Sequence, residues 1–153
     1  GRSNVIEADG VRAVIDYGHN VPALQALDEL VRALPARRRI AVASAPGNRR
    51  DEDLIALGEQ LGRMHDLLFI CESDPRGRTP GEAAGLIHQG AQRNIGRAGR
   101  VRTVTAEADA VDAALDTAEQ GDLLVLLIDG TERAIQRLKA HRFRPAAAPV
   151  AGG

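Results

Sequence analysis

Two nearly continuous apolar runs, Ile40–Ala45 (IAVASA) and Leu123–Ile128 (LLVLLI), constrain this chain more than any other feature. A strand with one face in water alternates apolar and polar residues; strands without that alternation are covered on both faces. Layers of other structure must therefore lie on either side of a sheet. The intervening segments supply them. From Pro22 to Leu34, the residues Leu24, Leu27, Leu30, Val31 and Leu34 recur at helical spacing, and Pro35 ends the run. The same reading predicts strand Arg39–Ala45, helix Glu52–Met64, strand Leu67–Cys71, helix Gly81–Asn94, strand Val101–Thr105, helix Glu107–Ala118, strand Leu123–Ile128 and helix Thr131–Ala140. Short strands separated by crossover helices form a mostly parallel sheet.

The amino-terminal segment reads differently. Asn4–Glu7 and Val11–Tyr17 are β-rich and flank Asp9-Gly10, a strong hairpin signal, so the chain is expected to open with two antiparallel strands. The expected fold is a three-layer, Rossmann-like α/β domain over residues 1–143, with a mostly parallel sheet and an antiparallel amino-terminal hairpin. The remainder, 144–153 (RPAAAPVAGG), has no period and is expected to be disordered.

Composition removes several function classes. A net charge of -1 with no block of basic residues speaks against nucleic acid as partner. Cys71 is the single cysteine and lies in the run LLFICES, which leaves no internal disulfide and no cysteine-based metal site. His65, His88 and His141 lack the paired spacing of metal ligands, so no metal is expected on this chain itself. No apolar stretch approaches the ~20 residues that cross a bilayer, and the first residues lack the pattern of a signal peptide. A cytoplasmic protein with no membrane partner is expected.

In a sheet of this kind ligands bind beyond the carboxyl ends of the strands, so the segments just after each strand are the candidates. Asp16-Tyr17-Gly18-His19-Asn20 places a carboxylate, an imidazole and an amide at a helix entrance. Capping by Asn20 explains part of it, but the segment is unusually polar for capping alone. In Pro46–Asp53 the acids Asp51, Glu52 and Asp53 suit a helix amino terminus, whereas Arg49 and Arg50 have no such explanation. They are either solvated or a grip for phosphate or carboxylate. Glu72–Glu82 mixes Glu72 and Asp74 with Arg76 and Arg78, which suits a zwitterionic ligand or a self-paired surface loop. Asp129 or Thr131 is expected to cap the last helix. No GxGxxG follows a predicted strand and GxxxxGK[ST] is absent, so the domain lacks a phosphate cradle of its own.

Asp16-Tyr17-Gly18-His19-Asn20 resembles the Asp-Tyr-Ala-His-Asn-Pro segment that opens the carboxyl-terminal domain of Mur peptide ligases and folylpolyglutamate synthetases. Gly1-Arg2 lies where that family joins its central ATPase domain to this one. Pro46–Asp53 and Arg76-Gly77-Arg78 are similar to the cyanophycin synthetase branch, and the likeness covers nearly the whole chain apart from its tail. The resemblance implies one domain of an ATP-dependent amide ligase that adds arginine to aspartate side chains of a polymer through an acyl phosphate. ATP and Mg2+ would be held mainly by an upstream P-loop domain of the same polypeptide, and the isolated domain would be inactive. By that analogy Arg2, Asp16, His19 and Asn20 face the nucleotide. Arg49, Arg50, Glu72, Asp74, Arg76 and Arg78 lie towards the incoming amino acid or the peptide polymer, and no catalytic residue is assigned to this chain. The sequence departs from the family pattern at Val21-Pro22, at Asn48 and at Ser73-Asp74-Pro75, which leaves the amine substrate open. A non-catalytic ligand-binding or assembly module of the same fold is the alternative, and homo-oligomers are compatible with either.

Overall fold

A computed structural model of the chain describes residues 4–16, 21–94 and 100–147. Its elements are β1 (Asn4–Ala8), β2 (Val11–Asp16), α1 (Val21–Ala33), β3 (Arg39–Ala43), α2 (Asp51–Met64), β4 (Leu67–Ile70), α3 (Glu82–Asn94), β5 (Arg100–Thr103), α4 (Glu107–Thr117), β6 (Leu123–Leu127) and α5 (Thr131–Ala140). The strands form one sheet in the order β1-β2-β6-β3-β4-β5, with β1 antiparallel to β2 and every other pair parallel. This is the expected architecture.

The hairpin turns where the sequence places it. Asp9 and Gly10 have φ of 48° and 82°, the two left-handed residues that let a two-residue turn follow the right-handed twist of its strands. The Asp9 carboxylate also accepts the Phe143 backbone N–H at 2.8 Å, tying the end of the domain back to its beginning. Arg144, the first residue beyond the expected domain limit, bridges to Glu119 and donates from its guanidinium to the Asp116 carbonyl at 2.9 Å.

Both sheet faces are covered, and β6 shows it residue by residue. Leu123, Val125 and Leu127 pack with α1, α2 and α3, whereas Leu124, Leu126 and Ile128 pack with α4, α5 and Phe143. Strand β3 ends two residues earlier than its apolar run. Its ladder stops at Ala43, opposite Ile70, and Ser44 and Ala45 stay buried as the chain turns towards α2.

Helices α2 and α3 meet backbone to backbone. A β-carbon on Gly58 would overlap the Ile87 carbonyl, and one on Gly90 would overlap the Ile55 carbonyl. Glycine is needed at both positions for the two helices to approach this closely.

Candidate functional site

Parallel register puts the carboxyl ends of five strands in one row: Asp16 pairs with Leu127, Leu127 with Ala43, Ala43 with Ile70 and Ile70 with Thr103. The segments after β2, β3 and β4 lead to helices on one face, and those after β5 and β6 lead to helices on the other. Neighbouring connections therefore part to opposite sides of the sheet on both flanks of β6, and in sheets of this kind that reversal marks where the ligand crevice lies, beyond the strand ends. Asp16, 7% exposed, stands at its β2 wall. Arg2, His19 and Asn20, expected beside it, lie outside the described residues.

The other six candidates occupy two adjoining loops, 44–50 after β3 and 71–81 after β4. Gly47 is the contact point. Its N–H donates to the Asp74 carbonyl at 2.9 Å, and its Cα lies against Pro75 so closely that a β-carbon would overlap the Pro75 carbonyl. Arg78 reaches under both loops. Its Nε donates to the Gly47 carbonyl at 2.7 Å and its Nη2 to the Arg49 carbonyl at 2.6 Å and to Asp51 Oδ1 at 2.7 Å. Its Nη1 donates to Glu82 Oε1 at 3.0 Å. The Asp51 hydrogen bond holds the guanidinium pKa above its ordinary value.

The acids of the second loop are also engaged. Glu72 Oε2 accepts the Gly81 N–H at 2.7 Å and so joins the end of β4 to the start of α3. Asp74 Oδ1 accepts the Arg76 N–H at 3.1 Å, and its Oδ2 lies 3.5 Å from Arg76 Nε. Arg76 and Gly77, with φ of 46° and 93°, form a tight turn closed by the Arg78 N–H on the Pro75 carbonyl at 3.0 Å. A left-handed arginine is strained, and such residues persist only where their surroundings hold them.

The two arginines of the first loop part company. Arg50 forks onto Asp53 at 3.0 and 3.1 Å and meets Glu52 at 3.2 Å, and all three side chains are well exposed. The Arg49 side chain is half-buried and has no ion pair or hydrogen bond among the described residues. Among the described residues of these two loops, it is the cation left without a partner.

A family model described as Mur ligase, glutamate ligase domain, matches residues 1–127. The chain belongs to the Mur ligase C-terminal domain family. Cyanophycin synthetase of Trichormus variabilis is 34% identical over 140 residues, which cover 91% of this chain and 15% of that protein. That of Crocosphaera subtropica is 36% identical over 136 residues, covering 88% and 15%. This chain thus spans about 15% of the length of the cyanophycin synthetases it matches. Among solved structures, UDP-N-acetylmuramoyl-L-alanyl-D-glutamate--2,6-diaminopimelate ligase superposes with a TM-score of 0.69 at 20% identity, over 82% of this chain and 25% of that one. E. coli FolC in complex with ADP gives 0.65 at 23% identity, over 82% and 28%. Both establish the fold.

One interaction at the carboxyl edge of this Mur ligase domain was not legible in the sequence. Glu107, which reads as an acid opening α4, reaches across to β6 and accepts the N–H groups of Asp129 at 3.0 Å and Gly130 at 2.8 Å. The N-cap of α5 is Gly130, which has no side chain to cap with, so the donors at this turn are met from α4 rather than by local capping alone. Only spatial proximity of residues twenty-odd positions apart reveals this. Beneath the crevice, burial and the nearby Glu107 carboxylate push the Cys71 thiol up to about 12, which keeps it protonated and unreactive. Among the described residues no group of three or more His, Cys, Asp and Glu is placed to hold a metal, and no helix is long and apolar enough to cross a membrane.

Proposed function

We propose that this chain is the carboxyl-terminal domain of an ATP-dependent acid–amino acid ligase that adds arginine to aspartate side chains of a peptide polymer. One observation carries the reading: the two charged loops beside the crevice lie in a chain that resembles cyanophycin synthetase over nearly its whole length. In this reaction the polymer carboxylate takes a phosphoryl group from ATP to become an acyl phosphate. The amine of the incoming amino acid attacks the carbonyl carbon, the C–N bond forms, phosphate leaves and the amine gives up its proton.

The sequence has no P-loop, and on the family resemblance ATP and Mg2+ belong mainly to an upstream ATPase domain of the same polypeptide. E. coli FolC and MurF of Thermotoga maritima, whose chains contain this fold, were each solved in complex with ADP, which supports ATP as the cofactor. Here the chain contributes orientation and charge. The family resemblance assigns Arg2, Asp16, His19 and Asn20 to the nucleotide. Arg49, which makes no ion pair among the described residues, is available for the carboxylate of the incoming amino acid, and Arg50, Glu72, Asp74 and Arg76 share its two loops. Fixing the amine near its target removes orientational entropy from the reaction, and a guanidinium in a half-desolvated cleft is a stronger anchor than one in bulk water.

The test is ADP release by the full-length protein in the presence of arginine and a polymer primer. Activity that needs both, together with an Arg49→Ala variant whose KM for arginine rises about tenfold or more, is the expected result. Absence of arginine-dependent turnover in the full-length protein sinks the reading and leaves a non-catalytic module of the same fold.

A further inference from the structure

A guanidinium has five N–H donors, and four of those on Arg78 are engaged, with the Gly47 and Arg49 carbonyls, Asp51 and Glu82. One donor remains. A two-point grip on a ligand carboxylate needs two, so Arg78 cannot take a substrate in that way without releasing a loop. Its side chain is 15% exposed, against 52% for Arg76. Its acceptors also differ in kind. Two are main-chain carbonyls of the irregular segment between β3 and α2, and two are carboxylates in the first turns of α2 and α3. Main-chain polar groups in a loop without a ladder must find partners elsewhere, and here one side chain supplies them.

We infer that Arg78 is a positioning residue, a clamp that locks the loops after β3 and β4 into one rigid jaw and thereby sets where Arg49 is presented to the incoming amino acid. The inference rests on the proposed amino-acid site, but the clamp itself is a separate claim. Gly47, seated against Pro75, is the other half of the lock, because it allows the loops to touch where Arg78 draws them together. Lysine cannot substitute. It keeps the charge, but its three donors radiate from one atom and do not span acceptors arranged around a planar fork.

Two measurements on the full-length protein test this. In Arg78→Lys, hydrogen exchange at residues 46–50 and 74–78 is expected to accelerate about tenfold or more, with β2, β6 and β3 as protected as before. The KM for the amino-acid substrate is expected to rise about tenfold or more, with KM for ATP and kcat changed less than about threefold. Asp51→Asn, at an exposed carboxylate, gives the same split in smaller measure and keeps the test open if the Arg78 variant folds poorly. Unchanged loop exchange overturns the clamp. A raised KM with unchanged exchange makes Arg78 a direct ligand contact and overturns it too, as does loosened exchange with an unchanged KM. If the wild-type protein shows no amino-acid-dependent turnover, the proposed function fails, while the exchange experiment still decides whether Arg78 holds the loops.

Discussion

Gly47 and Pro75 touch main chain to main chain across two loops that are separate in sequence, with no room for a β-carbon between them. The contact fixes the rim of the candidate site without any side chain from Gly47. It follows that Gly47→Ala forces the loops apart while leaving the sheet intact. Unchanged far-ultraviolet circular dichroism with amino-acid affinity weakened about tenfold or more is the expected outcome. An alanine variant with wild-type KM contradicts it.

The α2–α3 crossing makes an opposite demand on glycine in one helix. Gly58→Ala and Gly90→Ala each place a methyl on the other helix's carbonyl, and overpacking of this kind costs about 1–3 kcal/mol despite alanine's better helix propensity. Gly85 lies in α3 with nothing within 4 Å of its missing β-carbon, so Gly85→Ala is expected to stabilise by about 0.5–1 kcal/mol. Urea unfolding of the three variants gives the comparison. Equal effects at all three positions contradict the close approach.

His65 predicts a pH dependence. It caps α2, and since the Leu61 carbonyl at 2.9 Å can only accept, Nδ1 carries the proton while Nε2 is buried without a partner. Desolvation holds its pKa down to about 4 from 6.5. Between those values the unfolded chain binds the proton and the folded one does not, so stability falls as pH drops through the window. Acidification from pH 7 to pH 5 is expected to remove about 2 kcal/mol. His65→Asn, which retains a donor near Nδ1, should flatten that slope in denaturant titrations at the two pH values.

The far edge of the sheet carries the main buried charge. Asp122, with a fully buried side chain, accepts from Arg37 at 2.9 Å, from Arg38 at 2.8 Å and from the Glu119 N–H at 2.8 Å. Its loss strands two arginines and one amide. Because Arg37 and Arg38 keep 33% and 27% of their side-chain surface, Asp122→Asn is expected to cost about 2 kcal/mol, below the ~3–5 kcal/mol of a fully buried pair. A cost under about 0.5 kcal/mol by thermal or chemical unfolding contradicts the assignment.

Local sequence pattern was enough for the class of fold and for the place to look. Apolar runs without alternation required a sheet covered on both faces, helical spacing supplied the covers, and Asp9-Gly10 required the hairpin, because these follow from local periodicity and backbone sterics. The edge that carries the candidate loops was legible too, since parallel crossover strands bring their carboxyl ends together. Tertiary structure alone decided the rest. The insertion of β6 between β2 and β3, and with it the position of the crevice, depends on long-range pairing that no local pattern encodes. Arg49, Arg50, Arg76 and Arg78 read alike in sequence, yet one has no partner among the described residues, one forks onto its own helix, one is strained in a turn and one clamps two loops. Charge is written in the side chain, but its role is set by which acceptors the fold brings within about 3 Å.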